Sequence, residues 1–285
     1  MRELTRPRII FLGTGASTPT PNRWVSGVLI EGVGITMLMD AGEGVQIRLR
    51  EVGVEPAQLD LIAITHLHGD HVFGLMPLLQ SVAMRIESMK IKRSVVLVGP
   101  QGVDYLARAA IGSFDKDYLT IDVRLIEDPR SSVVVVDGNT VVPLPIAHGD
   151  VRSWGYYVKL RVSGGRYVRV FYGADGVPEE FTIEFLKRNG VDVLIHEATY
   201  SRVHSAEALR TGHATSDTVA RMAVSVNPQV VILTHISQRY GSYVPQLDEV
   251  RTRFKRVYLA EDLMTYPIYI LPREELDVSG DVLFP

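Results

Sequence analysis

The chain has 285 residues, 46% of them hydrophobic, enough to bury a substantial core as one large domain or two small ones. It contains no cysteine, which excludes disulfides and thiolate metal ligands and leaves His, Asp and Glu to bind any metal. A formal net charge of −3 gives no global sign of a nucleic-acid binder, so an anionic partner would have to be held by a local site.

The opening "MRELTRPRIIFLGTGAS" is charged, then apolar for only a few residues before its glycines, and reads as a first strand rather than a signal peptide. "SGVLIEG" and "ITMLMD" follow as strands, and "GEGVQIRLREVG" reads as a short helix ending at Gly53. "LDLIAIT" is an apolar run of buried-strand length that delivers "ITHLHGDHVFGL". From Asp70 through Met89 the spacing of Leu75, Leu78, Leu79 and Val82 predicts one helix, followed by the strand "SVVLVG" and the helix "GVDYLARAAIG". From residue 119 the chain reads as β-rich ("LTIDVRLIE", "SSVVVVDG", "TVVPLPIAHG", "WGYYVKLRV", "RYVRVFYGAD"), with helices near 178–189 and 216–226 and strands "VDVLIHE" and "VVILTH". Strands in both halves with helices after them suggest two stacked sheets covered by helices, a single domain over residues 1–285. No run of about eighteen apolar residues occurs, so no membrane helix is expected, and the absence of cysteine makes the cytoplasm the expected compartment.

His66, His68, Asp70 and His71 fall within six residues, and imidazole or carboxylate is costly to bury without a partner. Residues two apart at a strand end share a face, so His66 and His68 can point together, while Asp70 and His71 turn back from the start of a helix. The spacing suits two metals side by side. His148 ends "TVVPLPIAH", Asp175 follows "VFYG", and His235 ends "VVILTH". Each is weak alone, but all would lie on one rim of strand C-terminal ends. His196 in "LIHEATY" and His213 in "GHATS" occupy two further polar islands, and of the eight histidines only His204 reads as an ordinary loop residue.

These segments resemble the metallo-β-lactamase superfamily and, within it, the RNase Z (tRNA 3′-processing endoribonuclease) group. The His-rich stretch alone specifies the superfamily. "FLGTGASTPTPNRWVSGVLI", "DAGEGVQIRLREVG", "LIHEATY", "TGHATS" and "ILTHISQRY", in that order, are similar to the narrower group. The resemblance implies an α/β fold, a four-layer αβ/βα sandwich with metals at the upper edge of the sheets. It implies that His66, His68 and His148 hold one metal, that Asp70, His71 and His235 hold the other, and that Asp175 bridges both. Nitrogen and carboxylate donors suit two Zn²⁺, with Mn²⁺ or Fe²⁺ as alternatives, and such a pair activates a hydroxide towards a phosphodiester. Glu197 is expected to orient His213, which protonates the leaving oxygen, and Asp70 to hold the hydroxide as well as a metal.

Asp40 is read as an acceptor that fixes a ligand imidazole or, equally, as a helix cap. "GTGAS" reads as a tight turn and not a phosphate loop, because no G-x-G-x-x-G spacing follows. Arg239 and Tyr240 are candidates for contacts to a substrate phosphate and base, and "KIKR" (Lys90 to Arg93) is read as a solvated charge run. The expected substrate is a tRNA precursor or another phosphodiester. The alternative is a small-molecule metallo-hydrolase acting on phosphodiesters, cyclic phosphates, thioesters or lactones. A metal-free RNA-binding relative is disfavoured because all seven ligand positions are filled, and a di-iron redox module because redox relatives usually substitute a carboxylate within the His-rich motif. "VFGLMPLLQSVAM" carries more apolar residues than one buried stripe requires, which together with the resemblance predicts a homodimer. One departure stands out. RNase Z enzymes carry a Gly/Pro-rich tRNA-gripping arm between the third metal-binding segment and the bridging Asp, but here only 27 positions separate His148 from Asp175. Two strands and an "SGG" turn use that interval up.

Overall fold

Alternating apolar residues in short strands produce two sheets that share one interior. The computed structural model describes residues 7–112, 114, 117–162, 165–241, 244–268 and 282–285. In the first sheet β1 (Arg8–Gly13), β2 (Gly27–Gly32), β3 (Ile35–Met39), β4 (Leu61–Ala63), β5 (Arg93–Gly99) and β6 (Leu119–Leu125) lie side by side in chain order. A late strand, Thr265–Pro267, returns to pair with β1. In the second sheet β7 (Val134–Val136) pairs with β8 (Asn139–His148), which continues into β9 (Val151–Arg161) and β10 (Tyr167–Tyr172). A two-residue strand β11 (Val177–Pro178) flanks β8, and β12 (Val193–Glu197), β13 (Val230–Thr234) and β14 (Val257–Leu259) run parallel beyond β10.

Side-chain alternation sorts the core into layers. Ile9 and Phe11 of β1 face Tyr156, Val158 and Ile195 of the second sheet. Ile10 and Leu12 face the other way, under α1 (Val45–Glu51), α3 (Leu75–Met89) and α4 (Val103–Ile111). On the far side α5 (Glu180–Asn189), α7 (Ser216–Val226) and α8 (Pro245–Arg251) cover Tyr157, Phe171, Leu194 and Leu233. The result is helix, sheet, sheet, helix, as expected from the sequence.

Three details of the elements go beyond the sequence reading. The predicted helix over 70–89 is two helices, α2 (Gly69–Val72) and α3, broken at Phe73–Gly74. Gly74 donates its N–H to the Ala41 carbonyl at 2.8 Å, and a β-carbon there would lie 2.0 Å from the Gly42 oxygen, so the chain turns under the β3 loop instead of continuing. "LTIDVRLIE", which opens the β-rich run of the sequence, is the parallel edge of the first sheet, in register with β5 from Arg93↔Leu119 to Gly99↔Leu125. Finally, α6 (Ser205–Thr211), α8 and β14 were not foreseen, being short and largely polar outside their packing faces. Of the "SGG" turn, Ser163 and Gly164 lie outside the described residues; the strands on either side pair directly, with Arg161 opposite Tyr167.

Hydrogen bonds across the sandwich fix the rim where the site lies. Tyr156, fully buried, donates its hydroxyl to the Ile64 carbonyl at 2.6 Å, and the Trp154 N–H reaches the Thr65 carbonyl at 3.1 Å. Each such bond contributes about 1 kcal/mol net, but a broken one would strand a buried polar group, which costs more.

Candidate metal centre and proton-donor pair

The seven predicted ligand positions come together at the C-terminal ends of strands from both sheets. β4 delivers Thr65 and His66; β8 ends on His148; β10 leads to Asp175, and β13 to His235. The turns after β3, β10 and β13 place Asp40, Ala174 and His235 at φ of 60°, 52° and 53°. Left-handed geometry costs a non-glycine residue roughly 1–2 kcal/mol, and it recurs here because the chain must reverse within one residue to aim its donors at the rim.

The donors fall into two groups. In the first, the His68 Nδ1 faces His66 Nε2 at 3.0 Å and His148 Nε2 at 3.3 Å. Three ring nitrogens of neutral imidazoles so close would repel through their lone pairs, and a shared cation removes that repulsion. In the second, the Asp175 Oδ2 lies 3.3 Å from His71 Nε2 and 3.2 Å from His235 Nε2, and Asp70 Oδ2 lies 3.2 Å from His235 Nε2. Asp175 is buried, and its Oδ1 has no hydrogen-bond partner. A buried carboxylate oxygen left without a donor is what a cation between the two groups would satisfy. The residues present therefore fit two adjacent divalent cations, bound through nitrogen and oxygen only.

Four of the five rings, all but His68, are held by a partner on their other nitrogen. The Thr65 hydroxyl donates to Asp40 at 3.0 Å, so it accepts from His66 Nδ1 at 2.9 Å. Thr199 repeats the arrangement: its hydroxyl donates to the His235 carbonyl at 3.0 Å and accepts from His235 Nδ1 at 2.8 Å. His148 donates Nδ1–H to the Gly212 carbonyl at 2.8 Å, and His71 donates to Asp40 at 2.7 Å. In every case the tautomer leaves Nε2 free for a cation. Asp40 also accepts the Thr65 N–H and the Tyr172 hydroxyl, which makes it the acceptor expected for a ligand imidazole; the cap of α1 is Gly44.

Glu197 and His213 form the second unit. The fully buried Glu197 accepts from the backbone N–H groups of Gly176 (2.6 Å), Ala214 (3.0 Å) and Thr199 (3.1 Å), and from His213 Nδ1 at 2.9 Å. One carboxylate thus ties three loops together and leaves the His213 Nε2 facing away from it. The His213 ring lies 4.8 Å from the His148 ring and 5.5 Å from that of His235.

Electrostatics follow this geometry. Burial works against charge on His213, yet the carboxylates of Glu197, Asp175 and Asp70 hold its pKa up at about 9. Burial, with His71 close by, pushes His66 down to about 2, which keeps it a neutral donor. Burial would raise Asp70, but the hydrogen bond from His235 and the charge of His71 hold it below the usual carboxylate range. Asp175 is likewise held low against its burial, by His235 and His71. Carboxylates kept ionised beside histidines form a cluster that seeks cations.

The remaining candidates divide. His196 is buried and hydrogen-bonds the Glu197 carbonyl through Nδ1 at 2.9 Å, packing near the site as expected. Tyr240 is not free to contact a base: its hydroxyl accepts the Ser201 N–H at 2.8 Å and lies 3.2 Å from His204 Nδ1. That contact, together with the Ser201 hydroxyl at 3.1 Å, gives His204 a fixed place that its sequence surroundings did not suggest. Arg239 is exposed, its guanidinium 4.6 Å from the centre of the Tyr200 ring. In "KIKR" both lysines are solvated, but Arg93 is committed to Asp60 at 2.8 Å. "GTGAS" is a turn, as read, yet it also reaches the site, since the Ser17 N–H donates to Asp70 at 2.8 Å. Thr65, Thr199, Tyr172 and Ser17 all escaped the sequence reading. Thr65 and Thr199 stand beside motif residues, which was the only local signal.

A cleft of about 680 Å³ opens over His68, Asp70, His148, Asp175 and His213. No helix among the described residues is long and apolar enough to cross a membrane.

A family model described as anti-Pycsar protein Apyc1 matches residues 7–251. The chain is 31% identical to ribonuclease Z of Aeropyrum pernix over 92% of its own length and 98% of that protein's. It is 30% identical to ribonuclease Z of Salinibacter ruber, covering 94% of this chain and 95% of that one. Among solved structures, the short form of human tRNase Z superposes with a TM-score of 0.76 at 27% identity, over 92% of this chain and 100% of that one. The Bacillus subtilis metallo-β-lactamase fold protein YhfI, at 20% identity and a TM-score of 0.73 over 92% of this chain and 99% of that one, shares the fold. Sandwich, rim and relatives agree: the chain belongs to the ribonuclease Z group of metallo-β-lactamase-fold, metal-dependent hydrolases and to the family described as anti-Pycsar protein Apyc1.

Proposed function

We propose that this chain is a dinuclear-metal phosphodiesterase of the ribonuclease Z type that cuts RNA at tRNA 3′ ends, acting as a single-domain cytoplasmic homodimer with two Zn²⁺ per chain. The observation that carries the reading is the Glu197–His213 pair beside the two donor groups. Two divalent cations, when bound, lower the pKa of a water and draw charge from the phosphoryl oxygens. His66, His68 and His148 would hold one, Asp70, His71 and His235 the other, and Asp175 both. What this chain adds is the proton. A ribose 3′-oxygen is a poor leaving group unless protonated, and His213, with Nδ1 held by Glu197, has Nε2 available to deliver it. A thioester, whose thiolate leaves readily without a proton, needs no such buried carboxylate–histidine pair.

The hairpin of β9 and β10 argues that this enzyme grips tRNA differently from its relatives. The alignment to the Aeropyrum pernix protein spans 310 residues, more than the 285 of this chain, so the relative has residues that this one lacks. Without an arm, remote binding energy is lost, and Arg239 is an exposed cation near the site. The exposed side chains of Met84 and Met89 on α3 support pairing of two chains through that region.

Metal-loaded protein should cleave a tRNA precursor carrying a 3′ trailer, with a high KM that rises steeply with salt, while small phosphodiesters turn over normally. His213→Ala should keep its metal and slow RNA cleavage by ~10²–10⁴-fold, while sparing a nitrophenyl ester, whose leaving group needs no proton. Equal loss on both substrates would remove the proton-donor role, and failure to cut any phosphodiester would remove the function.

A further inference from the structure

Phe73 is among the most exposed large apolar side chains described, at 73%, yet it is not adrift on the surface. It lines the cleft together with Gly69 and Asp70, and its ring packs close to Gly69. A β-carbon added to Gly69 would fall 2.3 Å from the Phe73 ring, so the glycine between His68 and Asp70 leaves room for that ring. Val25 and Pro19 also line the cleft. Among the described residues that line the cleft there is no Lys or Arg, while Glu43, Asp70 and Asp175 are all acidic. Apart from its cations, such a cleft has little to offer a second phosphate and repels it through Glu43. It offers an apolar face instead.

Resting on the phosphodiesterase reading, we propose that Phe73 is a stacking platform for the base of the nucleoside that keeps the phosphate after cleavage. The assignment of sides follows from the two halves of the molecule. His213 and Thr211 come from the second half, where the leaving oxygen takes its proton; Phe73, Val25 and Pro19 come from the first. A base can lie on an exposed ring only when it is not paired or stacked on a neighbour, so the site selects a single-stranded nucleotide at this position. Ring faces are common to all four bases, so the selection is for an unpaired nucleoside and not for a sequence.

The test uses two esters with the same leaving group, p-nitrophenol, which does not need His213. One is the p-nitrophenyl ester of thymidine 5′-monophosphate, whose base would meet Phe73; the other is methyl p-nitrophenyl phosphate, which has no base. Wild type should favour the thymidine ester in kcat/KM. In Phe73→Ala the ratio of the two kcat/KM values should fall by roughly 5- to 150-fold, through KM, the range alanine substitution gives for stacking platforms. Phe73→Trp should restore it, and thymidine 5′-monophosphate binding measured by calorimetry should follow the same order. An unchanged ratio in Phe73→Ala overturns the proposal. So does a light-scattering mass that halves in that variant, which would assign the ring to a subunit contact. If wild type hydrolyses neither ester, the phosphodiesterase reading itself falls, and the baseless methyl ester separates that result from a failure of stacking.

Discussion

Replacing Glu197 by Gln tests the proton-donor unit with almost no change in shape. The Glu197 Oε1 accepts three donors, from Gly176, Ala214 and His213, and Oε2 accepts the Thr199 N–H. A glutamine can place its oxygen at the first position only by turning its NH₂ towards the Thr199 N–H. One buried hydrogen bond then becomes a donor facing a donor, and the bond from His213 loses its charge. Those two changes together cost about 2–4 kcal/mol. An independent figure comes from His213, whose pKa of about 9 against an ordinary 6.5 corresponds to on the order of 3 kcal/mol. The sign is fixed by linkage. His213 is raised on folding, so its contribution to the metal-free protein is complete below about 6.5 and is lost as pH rises through about 9. The metal-stripped wild type should therefore lose this stability in its melting curve across that window, and Glu197→Gln should start lower and lose less across it. In the metal-loaded enzyme, where the bound cations act on both proteins alike, the alkaline limb for RNA cleavage should move down by about one to two pH units in the variant. The nitrophenyl ester should show no such movement. If the limb does not shift, or the metal-stripped variant melts with the same pH dependence as wild type, the account of Glu197 as the group that charges His213 is wrong.

Three other outcomes follow from the same geometry. Asp175→Ala removes the carboxylate proposed to serve both donor groups, so metal analysis should find well below two ions per chain and phosphodiesterase activity should vanish; full occupancy would refute the bridging assignment. Thr199→Val keeps the shape but deletes the acceptor for His235 Nδ1, and competitive chelator titration should show metal binding weakened roughly 10- to 100-fold. Gly74→Ala would place a methyl group 2.0 Å from the Gly42 carbonyl oxygen, so denaturant melts should show a loss of more than about 2 kcal/mol; a neutral result would mean that the break between α2 and α3 is not set by that contact.

The sequence by itself determined the layered architecture and put seven candidate donors at strand ends and in one His-rich loop. Strand alternation at Ile9, Ile10, Phe11 and Leu12 already sorts residues to two faces, and a cluster such as His66, His68, Asp70 and His71 has few physical uses but a metal. Nearly all of the site's donors follow apolar strands, so their common rim was legible from the order of the elements. What orients the rings was not. Thr65, Thr199, the Gly212 carbonyl and the Ser17 N–H are ordinary residues and backbone groups whose roles arise from partners that are remote in the chain or from a local backbone turn. Asp40 shows this most plainly: its strand-end position suits a helix cap as well as it suits His71, and only the sandwich, by bringing Tyr172 across from the other sheet at 2.9 Å, decides between them. Likewise a tyrosine next to a ligand histidine looks available to a substrate until the fold spends its hydroxyl on Ser201. Local pattern records what a residue can do, while the competition among its neighbours for each hydrogen bond is settled only in three dimensions.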